Sequence, residues 1–143
     1  MIRSVRHTGI VVRNLEKTAN FYRALGFVDD NQALEEGEFI DQVTGLKNTK
    51  LEWLKLKAPD GYVLELLQYH SHPESTEITQ QKSNKLGCSH MAFSVDNIDR
   101  ICEKIEQLGG FIVNPPALTN DKKIKVAYCH DLEGVLMEIV EVL

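Results

Sequence analysis

The chain has 143 residues and a formal net charge of -5, from 16 basic and 21 acidic residues. That length fits one domain, burying roughly two-thirds of the surface that its unfolded form exposes. The acidic balance argues against nucleic acid or an anionic membrane as the main partner, and no apolar run approaches the ~20 residues a membrane helix needs.

In chain order, His7 to Val12 is short, β-branched and bounded by polar residues, which predicts a strand. Alternation puts Ile10 and Val12 on one face and His7 with Gly9 on the other. Asn14 can cap a helix in which Leu15, Ala19, Tyr22 and Leu25 keep helical spacing, and Gly26 closes it. Residues 29 to 48 read as an acidic insertion with a short helix through GEFIDQVTG. Residues 50 to 57 and 62 to 69 predict consecutive strands around an APDG turn. Residues 71 to 89 are polar and without period, so they predict a linker.

The second half repeats this order. His90 to Val95 predicts a strand with Met91, Phe93 and Val95 on one face and His90, Ala92 and Ser94 on the other. Asn97 can cap a helix carried by Ile98, Ile101, Ile105 and Leu108, and Gly109 follows it. Residues 124 to 130 and 135 to 142 predict paired strands around LEG. Laid side by side, HTGIVVRNLEKTANFYRALGF and HMAFSVDNIDRICEKIEQLGGF match His7 to His90, Val12 to Val95, Asn14 to Asn97, Leu25 to Leu108 and Gly26 to Gly109. The chain therefore predicts two copies of a small α+β unit, at about 1–70 and 90–143.

Each copy ends on a greasy strand holding one carboxylate. DGYVLELLQYH carries Glu65 and EGVLMEIVEV carries Glu138, each four residues after a glycine. A buried, unpaired carboxylate costs several kcal/mol or gives up its charge, so both acids need partners. Two histidines open the repeats and two glutamates close them. If the two sheets face one cavity, His7, Glu65, His90 and Glu138 converge into a mixed nitrogen and oxygen set suited to a divalent transition metal. A structural zinc site would more often use cysteine.

As an ordered set, HTGIVVRNLEKTANFYRALGF, DGYVLEL, HMAFSVDNID and DLEGVLMEIVE resemble the vicinal oxygen chelate superfamily, which includes glyoxalase I (lactoylglutathione lyase), methylmalonyl-CoA epimerase, extradiol dioxygenases, and fosfomycin- and bleomycin-resistance proteins. The resemblance covers nearly the whole chain. It implies paired βαβββ modules forming a cupped mixed sheet around one divalent ion (Ni, Co, Zn, Mn or Fe), in a single domain over residues 1–143. It places the four ligand positions on His7, Glu65, His90 and Glu138. An acid at position 65 resembles the four-ligand glyoxalase and epimerase branch, whose members move a proton next to a carbonyl through a metal-bound enediolate or enolate. By that resemblance Glu138 is the proton-moving base and Glu65 the second candidate. Two positions depart from relatives: Leu132 stands where many have proline, and Tyr69 stands where glyoxalase I carries an asparagine near glutathione. The substrate class thus stays open among small carbonyl compounds, thioesters and sugar-derived ketones. Two other readings remain: an extradiol-type iron dioxygenase, with Glu65 off the metal, and a non-catalytic antibiotic-binding protein of the bleomycin-resistance kind. A homodimer is the expected assembly.

Other residues receive plainer readings. Three cysteines, Cys88, Cys102 and Cys129, without CxxC spacing suit reduced thiols in a cytoplasm, and MIRSVRH lacks the apolar region of a signal peptide. His70 and His72 read as exposed and His130 as structural. Lys122, Lys123 and Lys125 read as a solvated hairpin tip, Arg13 and Arg23 as surface charges. Cys102, Phe21 and Tyr22 read as core.

Overall fold

The computed structural model describes residues 1–76 and 81–143, so part of the expected linker, residues 77–80, lies outside the described residues. The chain divides into two compact units, Met1–Ser75 and Thr76–Leu143. The fold is mixed α+β, with two sheets and, among the described residues, three helices.

In the first unit β1 (Thr8–Val11) leads into α1 (Leu15–Ala24), then β2 (Val28–Glu36), α2 (Glu38–Thr44), β3 (Lys50–Lys57) and β4 (Val63–Tyr69). The strands lie in the order β1-β4-β3-β2, with β1 parallel to β4 and the other pairs antiparallel. The Asn14 side chain accepts from the Lys17 N–H at the start of α1, satisfying one of the donors a helix start leaves free. Gly26, at φ 106°, takes the chain out of the helix through a conformation that other residues rarely adopt. Leu15, Ala19, Phe21 and Tyr22 are buried, as are Leu54 and Leu56 of β3 and Leu64 and Leu66 of β4. Burying one such side chain is worth about 1.5–3 kcal/mol, so this layer holds helix to sheet.

The second unit repeats the plan. β5 (Met91–Ser94) is followed by α3 (Ile98–Gln107), short β6 (Phe111–Ile112) and β7 (Ala117–Leu118), then β8 (Ile124–His130) and β9 (Leu136–Val142). The order is β5-β9-β8-β6, with β5 parallel to β9 and β7 also pairing β8. Asn97 accepts from the Arg100 N–H and caps α3. Ile98, Cys102 and Ile105 are buried beside Ala127, Cys129, Met137 and Ile139.

The correspondence reaches beyond the caps. The Leu15 N–H at the first turn of α1 donates to Gln68 Oε1 at 2.7 Å, and the Ile98 N–H at the same place in α3 donates to Glu141 Oε2 at 2.9 Å. Gln68 and Glu141 each stand three residues beyond the strand glutamate. The final strand of each unit therefore carries its acid on one face and fastens the helix from the next turn of chain.

Two expectations need correction. Residues 29–48 contain more than an insertion with a helix: Val28–Glu36 is a nine-residue strand antiparallel to β3. It was hidden because VDDNQALEE forms the exposed sheet edge and buries no alternating apolar row. Arg23 is also more than a free surface charge. Its Nε and Nη2 donate to the two carboxylate oxygens of Asp29, each at 2.8 Å, and its Nη1 donates to Glu16 at 2.7 Å. This ties the exit of α1 to the start of β2, and its hydrogen bonds hold the Asp29 carboxyl below its ordinary range.

Candidate metal centre

Strand pairing positions each histidine with its glutamate. In the first unit Gly9 of β1 is level with Glu65 of β4; in the second, Ala92 of β5 is level with Glu138 of β9. His7 and His90 each stand two residues before that level, so alternation points the imidazole to the same side as the carboxylate. The helix-packed face is the other one, where Leu64 and Leu66 flank Glu65 and Met137 and Ile139 flank Glu138. An acid on the face opposite the helix escapes the apolar layer. That is how so greasy a strand tolerates a charge.

The distances repeat. His7 Nε2 lies 3.0 Å from Glu65 Oε2, and His90 Nε2 lies 3.0 Å from Glu138 Oε2. The side chain of Glu65 is 13% exposed and that of Glu138 25%. Gly9 keeps the first pair open: a Cβ there would stand 3.7 Å from Glu65 Oε2 and 3.1 Å from Leu67 Cδ1. Next to Gly9, the Tyr62 hydroxyl donates to Thr8 Oγ1, which fixes the chain immediately after His7. On the other side His90 Nδ1 is 3.1 Å from Ser89 Oγ, a contact that orients the ring and leaves Nε2 toward Glu138.

The structure thus brings the four predicted residues together two by two. Among the described residues no group of three or more His, Cys, Asp or Glu side chains is gathered to hold a metal ion. Each pair nevertheless fits half of such a site. A separation of 3.0 Å suits an N–H···O bond. The imidazole and carboxylate donors of each pair would suit a first-row divalent metal.

The surroundings of the pairs differ. Across β3, Lys55 is level with Glu65, and its Nζ stands 3.5 Å from Glu65 Oε1. The same ammonium lies 4.6 Å above the Trp53 ring, whose Nε1 donates to Glu35 Oε1 at 2.9 Å. At the corresponding place in the second unit, Tyr128 is level with Glu138 and packs edge-on against His90 at 5.1 Å. Sequence reasoning did not single out Lys55, Trp53 or Tyr128. The repeat alignment extended to the strands before the two glutamates would have found both cross-strand partners, because each stands ten residues before its acid.

Most of the remaining residues fall where the sequence placed them, and Lys125 does not. His70 and His72 are exposed, and His70 pairs with Glu52 at 2.8 Å. His130 is buried, with Nε2 near Gln81 O at 3.0 Å. Lys122 and Lys123 are exposed at the hairpin tip, but Lys125 lies within β8 rather than at the tip, and its Nζ donates to Asp99 at 2.7 Å.

Comparison with known proteins agrees with this fold. The uncharacterized protein YwkD of Bacillus subtilis (strain 168) is 26% identical over 112 residues, 76% of this chain and 74% of that protein. A glyoxalase family protein from Bacillus cereus has the same fold at a TM-score of 0.91, with 25% identity, covering 100% of this chain and 96% of the other. The fosfomycin resistance protein FosX from Listeria monocytogenes, solved with Mn(II) and sulfate, shares the fold at a TM-score of 0.65, with 16% identity over 100% of this chain and 95% of that one. The family model of the Glyoxalase/Bleomycin resistance protein/Dioxygenase superfamily matches residues 4–139. With the repeated histidine–glutamate register, that match over almost the entire length makes this chain a member of that superfamily.

Proposed function

We propose that the protein is a divalent-metal-dependent lyase or isomerase of the glyoxalase or epimerase type, acting on a small carbonyl compound. The observation that carries this reading is the repeated pair: His7 with Glu65 and His90 with Glu138, each at 3.0 Å and each in the same strand register. His7, Glu65, His90 and Glu138 would hold one ion, within a chain or between two copies in a homodimer. The ion, when bound, supplies a Lewis acid that polarises a carbonyl oxygen. Glu138 takes a proton from the neighbouring carbon and returns it. Glu65 lies as close to its histidine as Glu138 does to its own, which favours the four-ligand branch over a dioxygenase with two histidines and a single carboxylate.

The test has two parts. Elemental analysis of the untreated protein should find a divalent ion, and a panel of carbonyl compounds incubated in heavy water should gain deuterium beside the carbonyl. A protein purified without metal that also fails to bind added Ni, Co, Zn, Mn or Fe would refute the reading. Oxygen uptake with catechols after iron loading would move it to the dioxygenases.

A further inference from the structure

The two histidine–glutamate pairs have different cross-strand neighbours. Tyr128 faces Glu138, but a cation, Lys55, faces Glu65. We propose that Lys55, resting on Trp53, is a specificity-determining residue that receives the anionic group of the substrate, so that the natural substrate is a carboxylate-bearing carbonyl compound rather than a neutral one. The proposal rests on the metal reading above and narrows it.

The argument begins with geometry. Lys55, Trp53 and Glu65 share the sheet face opposite the helix: Lys55 is level with Glu65, and Trp53 is level with Leu67 two residues on. The Lys55 Nζ stands 3.5 Å from Glu65 Oε1, beyond the usual N–H···O range, so the contact holds the ammonium in place without using its donors fully. The Trp53 ring at 4.6 Å supplies the rest of its support, and Glu35 fixes that ring through Nε1. Lys55 is 26% exposed, open enough to meet a small molecule. The nearby Lys57 is not equivalent, because Asp30 holds its Nζ at 2.6 Å.

Charge then selects the ligand. The Lys55 ammonium, partly exposed beside Glu65, attracts a carboxylate more strongly than it attracts a neutral amide or carbonyl group.

Trp53 is the only tryptophan in the chain, so its emission reports directly on the ammonium above it. The full-length protein, loaded with Zn2+ and in parallel stripped of metal, is titrated with oxalate and with neutral oxamide while Trp53 fluorescence is followed. Zinc content is measured on every sample. In the zinc-loaded protein, oxalate should produce a saturable change that oxamide does not. Lys55→Met should weaken oxalate binding at least about tenfold, the loss expected for one hydrogen bond to a charged group. Lys55→Arg, which keeps the cation, should bind within a few-fold of the parent at equal zinc content.

Equal oxalate affinity in Lys55→Met and the parent overturns the proposal, as does oxamide binding as tight as oxalate. Loss of zinc from Lys55→Met in step with oxalate also overturns it, because Lys55 would then act only by placing Glu65. A chain that takes up zinc but shows no dependence on Lys55 keeps the metal reading and loses this one. A chain that takes up no zinc but answers oxalate through Lys55 does the reverse.

Discussion

Glu138 Oε2 lies 3.0 Å from His90 Nε2, and across the sheet its neighbour is Tyr128 rather than a lysine. Among the described residues Glu138 makes no ion pair with a lysine or arginine, whereas Glu65 stands 3.5 Å from Lys55. A carboxylate held on one side only is the freer of the two to swing and carry a proton. Glu138→Gln should therefore lower turnover by about 10²–10⁴-fold, the usual yield of a positioned base. Metal content should fall far less, since an amide oxygen can still ligate. Deuterium exchange at carbon and elemental analysis on one preparation measure both, and unchanged exchange would remove the role from Glu138.

Gly9 makes a second prediction through space alone. A Cβ at this position meets Leu67 Cδ1 at 3.1 Å, a contact that the flexible end of a leucine can relieve. Gly9→Ala should consequently fold and bind metal much as the parent does. Gly9→Val adds branched carbons beside Glu65 Oε2, which is only 3.7 Å from the Cβ position, and should cost about 1–3 kcal/mol through overpacking. Metal titration should register that cost as weaker affinity, with the helix content by circular dichroism unchanged.

Much of this was legible in the sequence because the chain says it twice. His7 and His90, Asn14 and Asn97, Gly26 and Gly109 recur at matching places, and repetition separates a patterned acid such as Glu65 from an accidental one. Asn14 and Asn97 cap their helices as predicted, for the local reason that a short side-chain oxygen reaches an unpaired N–H. What stayed hidden had no such local signal. β2 is an exposed edge strand whose pairing with β3 depends on backbone bonds rather than on an apolar rhythm. Lys55 and Tyr128 matter only through cross-strand register, which hydrophobic pattern alone does not disclose.

The proposed metal should also be visible in stability. An ion that binds the folded chain and not the unfolded one contributes about 2.7 kcal/mol when free ion stands at 100 times its dissociation constant. Chelation should lower the Tm by several degrees and readdition should restore it. The His7→Ala and His90→Ala variants, each lacking one nitrogen donor, should show little response to either treatment. A parent Tm indifferent to chelator, in a sample proven to contain metal beforehand, would argue that the ion does not link to folding.

The three thiols should divide sharply in reactivity. Cys88 is exposed, while Cys102 and Cys129 are buried on the helix-packed side of the second sheet. Burial pushes the Cys129 thiol up to about 12, and it raises that of Cys102 as well. Only the thiolate attacks a disulfide reagent, so the native protein should release about one equivalent of thionitrobenzoate at neutral pH, and three after denaturation. Cys88→Ser should abolish the native reaction. Fast modification of Cys129 in the folded chain would contradict the packing of α3 on β8.

Asp41 offers a prediction about acid. Its two carboxylate oxygens accept the backbone N–H groups of Thr49 at 2.8 Å and Asn48 at 2.9 Å, tying α2 to the loop that returns to β3. Those bonds, the one from Thr49 first, favour the charged form and hold the carboxyl below its ordinary range. Because the folded value lies below the unfolded one, near 3.9, the stabilisation is fully present above that pH and is lost as pH falls through the lower folded value. Melting temperatures measured from pH 6 down to about pH 3 should therefore fall more steeply for the parent than for Asp41→Ala, which starts lower and has less to lose. The two curves should approach each other at the acid end. Parallel curves would mean that the loop is held by Thr44 and Thr49, whose hydroxyls are 3.3 Å apart, and not by the aspartate.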